Sequence, residues 1–167
     1  MSTENRPPKN LWVDKMSIDK ATQVMLDNQE KSIWAIQNAL PQINIVISKI
    51  YEKLKNNSKS RLIFAGAGTS ARIGVQDAVE LYPTFGWPKN RVGFMIAGGK
   101  EAITTSVEGA EDNIFDPHDI ADEINLSSND ILIALAASGN TPFTRECLIQ
   151  SNLKNSLSIA ISNNKEG

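Results

Sequence analysis

The stretch that decides the fold reads RLIFAGAGTSA and covers residues 61–71. Its first five residues form an apolar run of strand length, and the glycines that follow are typical of a tight turn. From about Ala71 to Leu81 the sequence is helical in character, and Pro83 is expected to end that helix. The stretch therefore predicts a strand, a tight turn and the start of a helix.

Three further apolar runs, over residues 92–97, 131–137 and 157–161, have the same character. Helices are predicted over residues 116–124 and 142–152, between the later runs. Strands that are apolar throughout, rather than alternating, are typical of a parallel sheet covered on both faces. The sequence thus predicts an α/β fold, a parallel sheet flanked by helices.

The N-terminal part of the chain has a different pattern. Residues 1–10 are polar and are expected to form a loose arm, and a helix is predicted from Ile18 to about Ala39. Pro41 is expected to break or kink it, and apolar residues from Ile43 to Leu54 then recur at helical spacing. We therefore expect an arm with helices over residues 1–57 and an α/β domain over residues 58–167.

Composition excludes several classes of function. The 167 residues suit about one domain, and Lys+Arg 17 against Asp+Glu 19 gives a net charge of −2, which favours neither nucleic acid nor a membrane as partner. A single cysteine, Cys147, and a single histidine, His118, exclude an intrachain disulfide, a Cys-based zinc site and a multi-histidine metal site. With no signal-peptide or membrane-spanning pattern, we expect a soluble, cytoplasmic protein.

Polar turns follow three of the four predicted strands. They are GAGTS at residues 66–70, Gly98-Gly99, and SGNT at residues 138–141. Glycine lets the backbone approach a ligand, hydroxyls donate hydrogen bonds, and a helix N-terminus favours an anion, so the turns predict a phosphate site. The alternative is that these hydroxyls only cap helices.

A dinucleotide site is a weaker interpretation. Residues 66–71 fit G-x-G-x-x-A, but that site also needs an acidic residue about 20 positions further on to hold the ribose. No Asp or Glu lies between Leu81 and Lys100. The turn is therefore read as a monophosphate cradle.

Several blocks in order resemble the N-acetylmuramic acid 6-phosphate etherase family, whose core is a sugar isomerase (SIS) domain. The blocks that carry the resemblance are GAGTSARIG at 66–74, DAVE at 77–80, PTFG at 83–86, VEGAED at 107–112 and AASG at 136–139. The resemblance implies a SIS-type, flavodoxin-like sandwich. It also implies a longer chain, so that the α/β domain is either incomplete at its C-terminus or naturally shortened.

The resemblance implies a lyase that removes the D-lactyl ether of N-acetylmuramic acid 6-phosphate by elimination and hydration, yielding N-acetylglucosamine 6-phosphate and D-lactate. Glu80 would be the acid that protonates the lactate, and Glu111 the base at carbon 2. No metal or organic cofactor is implied, and the enzyme would be a cytoplasmic homodimer of peptidoglycan recycling. The residues expected to hold phosphate and sugar oxygens are Gly68, Thr69, Ser70, Ser138, Gly139 and Thr141.

Other interpretations stay open at this point. Ala71, Leu81-Tyr82, Lys100 and Asn140 depart from the family pattern, and a non-catalytic sugar-phosphate sensor or a phosphosugar isomerase would use the same cradle. From residue type alone, Glu80 and Glu111 are also consistent with solvated surface carboxylates. Arg72 is expected either to neutralise phosphate or to form a surface ion pair.

Overall fold

The computed structural model describes residues 5, 6 and 8–164, and the chain divides into two compact units. One unit ends at Tyr51, and the other begins at Glu52 and contains the whole sheet. Each unit has its own architecture. None of the described helices combines the length and the apolar character that a membrane-spanning segment requires.

The N-terminal unit is helical. Two short 3-10 turns, Lys9–Leu11 and Val13–Lys15, precede a 39-residue helix, α1 (Ile18–Asn56), which runs through Pro41 and whose residues 52–56 belong to the second unit. The predicted break at Pro41 is therefore wrong: a proline removes one backbone donor, and several helical turns on either side maintain the helix. Large apolar side chains of α1 are exposed, namely Ile18, Met25, Leu26, Ile33, Trp34, Ile36, Leu40, Ile45, Ile47 and Tyr51.

The second unit is built on a four-stranded parallel sheet. Its strands are β1 (Leu62–Gly66), β2 (Val92–Ile96), β3 (Ile131–Leu135) and β4 (Leu157–Ile161), in the order β2-β1-β3-β4. Gly66 at the end of β1 is in register with Ile96 of β2 and Leu135 of β3. The predicted α/β class with a parallel, flavodoxin-like sheet is confirmed.

Three helices accompany the sheet: α2 (Gly68–Phe85), α3 (Asp116–Glu123) and α4 (Pro142–Leu153). The predicted end of α2 before Pro83 is wrong, because the helix continues to Phe85 with the proline in its last turns. Gly86 ends it in the left-handed conformation (φ 65°), and its N–H donates to the carbonyl oxygen of Tyr82 at 2.9 Å. A left-handed glycine just after a helix is the usual way to satisfy its last carbonyls.

The core lies between the sheet and its helices. The strands contribute Ile63, Ala65, Met95, Leu132 and Ala134, and Phe143 and Cys147 of α4 are fully buried against them. The central strands are buried, as expected for strands covered on both faces. The core therefore fixes β1 and β3 side by side and presents their carboxyl ends at one edge.

Candidate functional site

The site begins where β1 and β3 separate. The chain leaves β1 towards β2 on one side, and leaves β3 towards β4 on the other, so this is the point where strand order reverses. Open α/β sheets bind ligands in the crevice at such a point, beyond the carboxyl ends of the strands. A Cβ on Gly66 would lie 2.8 Å from the carbonyl oxygen of Leu135 and 3.3 Å from Ala71 Cα, so only glycine fits here without a shift.

The first turn of α2 offers unused hydrogen-bond donors. Ala67 is the N-cap, with no side-chain cap, and Gly68 follows with φ +53° and open space where its Cβ would be. The hydroxyls of Thr69 and Ser70 form no hydrogen bond with any other described residue. The capping alternative is therefore wrong for this turn. Its free N–H groups and hydroxyls are donors of the kind that can bind an anion at a helix N-terminus.

A cavity of about 280 Å³ opens beside this helix N-terminus, close to the lower limit for small-molecule sites. One wall belongs to the start of α2, and the opposite wall belongs to the segment that follows β2. Its lining residues are Ala67, Gly68, Thr69, Arg72, Ala97, Ala102, Ser106, Val107, Glu108, Gly109, Ala110 and Glu111.

The segment after β2 folds back through two 3-10 turns, Gly99–Ile103 and Ala110–Asp112. Gly98 has φ +76°, and a Cβ there would lie 2.9 Å from Val107 Cβ, so this glycine packs against the wall. Gly98 and Gly99 are not among the residues that line the cavity. The turn after β2 shapes the segment that encloses the cavity, and its part in binding phosphate stays a prediction.

Glu111 reaches the cavity from the second of these turns. It lies in the 3-10 turn Ala110–Asp112, directly after Gly109 with φ +73°. Glu108 lines the same cavity, and its Oε1 accepts a hydrogen bond from Ser106 Oγ at 3.2 Å. Ser106 and Glu108 were not predicted as lining residues, because they lie in irregular backbone well beyond the end of β2.

Glu80 is not at this cavity. It is exposed on α2, about 18 Å further along the helix axis than Gly68 at 1.5 Å per residue. The structure brings Glu111 together with Gly68 and Thr69 at this cavity, whereas Ser70 and Glu80 are not among its lining residues. Of the two predicted catalytic carboxyl groups, only that of Glu111 belongs to the lining of this cavity.

The second predicted phosphate turn follows β3 and lies outside the lining of this cavity. Gly139 has φ +78°, Ser138 Oγ accepts the N–H of Asn140 at 3.1 Å, and Thr141 is the N-cap of α4 without a side-chain cap bond. Arg145 Nη1 donates to Asn140 Oδ1 at 3.5 Å, so a guanidinium lies beside this turn. This turn presents a second helix N-terminus at the strand next to β1.

Arg72 projects from α2 one turn beyond Thr69. Its Nε donates to the carbonyl oxygen of Ala102 at 3.0 Å, and its Nη2 donates to that of Thr105 at 3.2 Å. Arg72 was expected either to neutralise phosphate or to form a surface ion pair, and neither expectation included these contacts with the segment after β2. Among the described residues, including those of this cavity, no group of three or more His, Cys, Asp or Glu side chains could hold a metal ion.

Comparison with known proteins bears on this arrangement. The family model for the glucokinase regulatory protein N-terminal SIS domain matches residues 45–152, about two thirds of the chain and all of the cavity. The chain belongs to the SIS-domain family. A phosphoheptose isomerase structure from Neisseria gonorrhoeae shares the SIS fold with TM-score 0.56 and 16% identity, over 84% of this chain and 74% of that one.

Relatives identified by sequence point to a narrower family within the SIS-domain proteins. This SIS chain is 44% identical over 144 residues to an N-acetylmuramic acid 6-phosphate etherase from Lactococcus lactis subsp. cremoris (strain MG1363), covering 86% of the chain and 48% of the relative. It is 40% identical over 163 residues to one from Mycoplasma mycoides subsp. mycoides SC, covering 96% and 53%. The predicted resemblance to the etherase family is confirmed, and the chain spans about half the length of these curated relatives.

Proposed function

We propose that this SIS protein binds a phosphorylated amino sugar and cleaves the D-lactyl ether of N-acetylmuramic acid 6-phosphate. The observation that carries the proposal is the cavity where the uncapped N-terminus of α2 faces Glu111. Amide and hydroxyl donors at Gly68, Thr69 and Ser70 suit a phosphate dianion. The turn of Ser138, Gly139 and Thr141 would hold the remaining sugar oxygens at the neighbouring strand end.

The chemistry needs a base and an acid. When the sugar opens, the carbon-1 aldehyde makes the carbon-2 proton acidic, and Glu111 would take that proton. The electron pair forms the double bond between carbons 2 and 3, and lactate leaves with the ether oxygen, which Glu80 would protonate. Water then adds across the double bond at carbon 3, giving N-acetylglucosamine 6-phosphate and D-lactate. Each such group typically contributes about 10²–10⁴-fold in rate.

The acid assignment has a structural consequence. Since Glu80 lies outside the cavity that Glu111 lines, the proposal requires Glu80 to come from a second copy of the chain. We therefore propose a homodimer in which each site combines Glu111 of one copy with Glu80 of the other. The exposed apolar side chains Ile73, Val79, Tyr82 and Phe85 on α2 support an interface on the helix that carries Glu80.

Lactate release from N-acetylmuramic acid 6-phosphate tests the reaction. We expect Glu80→Gln and Glu111→Gln each to lower the rate by at least about 100-fold. Glu101→Gln, an exposed carboxylate on the same segment outside the cavity lining, should retain the wild-type rate. Equal rates for the wild type and the Glu80→Gln/Glu111→Gln double variant would refute the lyase.

Mixing the two inactive single variants tests the shared site. If each site takes one glutamate from each copy, mixed dimers contain one intact site and recover up to about half of the wild-type rate per mixed dimer. Recovery should require exchange of subunits, which fluorescence energy transfer between differently labelled copies can follow. Absence of recovery despite proven exchange would place both carboxylates in one chain and contradict the homodimer proposal.

A second candidate is a non-catalytic sugar-phosphate sensor. The family model that matches the chain is named for a regulatory protein, which favours this alternative. Tight binding of N-acetylmuramic acid 6-phosphate without lactate release would select it. Conversion between aldose and ketose phosphates without lactate release would select a phosphosugar isomerase instead.

The proposed substrate also suggests where the protein works. Removing lactate from a phosphorylated muramic acid converts a cell-wall sugar into an ordinary amino-sugar phosphate. We propose a cytoplasmic role in peptidoglycan recycling on this chemistry alone. Fractionation of cells and accumulation of the substrate in a deletion strain test the proposal.

A further inference from the structure

We propose that Arg72 is a positioning residue that holds the segment carrying Glu111 against the N-terminus of α2. That Glu111 is the group being positioned rests on the proposed function; the tether itself does not. Arg72 bonds to carbonyl oxygens 30 and 33 residues further along the chain. It thus joins the two walls of the cavity directly.

The tethered segment has little regular structure of its own. Between Ala97 and Asp116 it contains only the two short 3-10 turns among the described elements. The ladder bond from Ala97 N to Gly66 O at 3.1 Å anchors its beginning, and the contact of Gly98 with Val107 folds it back. Segments with few buried contacts open locally at low free energy. The two hydrogen bonds from the charged Arg72 guanidinium therefore account for a large part of the free energy that keeps this segment closed.

The charge of Arg72 is also available to the site. No described carboxylate forms a salt bridge with its guanidinium, in contrast to Arg61, whose Nε lies 2.7 Å from Asp130 Oδ1. Arginine has five N–H donors, and the two carbonyl bonds leave others for an oxyanion. Thr69 and Arg72 are three residues apart on α2, so they share a helix face, and both line the cavity. One side chain therefore closes the wall and supplies positive charge next to the phosphate cradle.

Two substitutions separate these contributions. Arg72→Gln removes both the fork of donors and the charge, whereas Arg72→Lys retains the charge without the planar fork that reaches two carbonyls at once. Arg91 provides a matched control, because it also donates to backbone carbonyls, those of Ser60, Leu54 and Asn57, but at the amino ends of β1 and β2. Arg91→Gln should lower overall stability without affecting the cavity.

Hydrogen–deuterium exchange and titration with N-acetylglucosamine 6-phosphate are the measurements. In Arg72→Gln and in Arg72→Lys, amides of residues 99–111 should exchange about tenfold faster than in the wild type, with the sheet amides unchanged. Affinity for the phosphosugar should fall about tenfold or more in Arg72→Gln and less in Arg72→Lys. Arg91→Gln should show neither local effect.

Kinetics complete the test. In Arg72→Lys, kcat for lactate release should fall more than KM rises, because the base is displaced while phosphate binding is largely retained. If the amides of residues 99–111 exchange at the wild-type rate in Arg72→Lys, Arg72 does not hold the segment. The same conclusion follows if Arg91→Gln accelerates exchange of these amides as much as the Arg72 variants do. If the wild type releases no lactate, the proposed reaction fails, but the exchange and titration results still decide the role of Arg72.

Discussion

The carbonyl oxygen of Leu135 lies 2.8 Å from the position that a Cβ atom would take on Gly66. The backbones of Gly66 and Leu135 therefore lie in close contact at the ends of β1 and β3, where the chain turns to opposite sides of the sheet. It also lets Ala71 of α2 lie against the end of β1, which places the helix N-terminus at the crevice. The glycine is thus required by the backbone around it, before any ligand is considered.

Gly66→Ala should therefore cost more than an ordinary surface change. Because the nearest atoms belong to backbone, they cannot rotate away, and we expect the free energy of unfolding to fall by about 1–3 kcal/mol. Gly93→Ala is the matched control: its Cβ would meet Ile63 Cδ1 at 2.7 Å, the end of a flexible side chain. Urea unfolding should show the larger loss for Gly66→Ala, and equal losses would contradict the backbone argument.

Thr69→Val should weaken phosphosugar binding without destabilising the fold. The hydroxyl is not a helix cap, and valine keeps the shape of the side chain, so only a donor to the ligand is lost. Hydrogen bonds to charged groups contribute about 1.5–3 kcal/mol, which corresponds to a loss of affinity of at least about tenfold. Calorimetric titration with N-acetylglucosamine 6-phosphate measures it, with Thr104→Val, an exposed threonine outside the cavity lining, as the control. Unchanged affinity would remove Thr69 from the proposed cradle.

The sheet was predictable because continuous apolar runs are a local signal. Each of the four runs became a strand within one or two residues of its predicted limits, and the last, Leu157–Ile161, matched fully. Helix ends were less predictable at prolines. Pro41 and Pro83 each remove one donor, but whether a helix ends there depends on the turns around them, and both helices continue.

From residue chemistry alone, the lining of the cavity was predictable only where it directly follows a strand, whereas Glu111 was named through the family resemblance. The turn after β1 supplies Gly68 and Thr69 to the cavity, as its composition indicated. The opposite wall could not be derived in the same way, because Ser106 and Glu108 lie in irregular backbone without periodicity. The carbonyl partners of Arg72 are distant in sequence, and no pattern in the residue types marks a backbone oxygen as a partner.

A partly buried ion pair at the amino ends of β1 and β3 should contribute to stability and not to binding. Asp130 is fully buried, and its two carboxylate oxygens accept bonds from Arg61 Nε at 2.7 Å and Nη2 at 2.8 Å. These bonds raise the pKa of Arg61, so the guanidinium stays charged. Asp130→Ala leaves that charge partly buried without its partner, and we expect a loss of about 3 kcal/mol in unfolding free energy.

The double variant Arg61→Ala/Asp130→Ala measures the coupling. Because the double variant removes both charges, its loss of unfolding free energy should be smaller than the sum of the losses in Arg61→Ala and Asp130→Ala. Phosphosugar affinity of each folded variant should equal that of the wild type, since the pair lies at the amino ends of β1 and β3. Additive losses, or weakened binding at a temperature where the protein is folded, would contradict this separation of roles.

The single cysteine should act as a pH-dependent probe of folding. Cys147 is fully buried in the core, and burial raises the pKa of its thiol above the ordinary value. In the unfolded chain the thiol ionises near pH 8.5, while in the folded protein it stays neutral. The contribution of the thiol to the free energy of unfolding is therefore fully present below about pH 8.5. It is lost as pH rises, by up to about 1.4 kcal/mol per pH unit.

Comparison with Cys147→Ala isolates this slope, because tyrosine and lysine groups titrate equally in both proteins. The difference in free energy of unfolding between the wild type and Cys147→Ala should narrow between about pH 8.5 and pH 9.5. A constant difference across that interval would contradict the prediction, because the thiol would then ionise as readily in the core as in water.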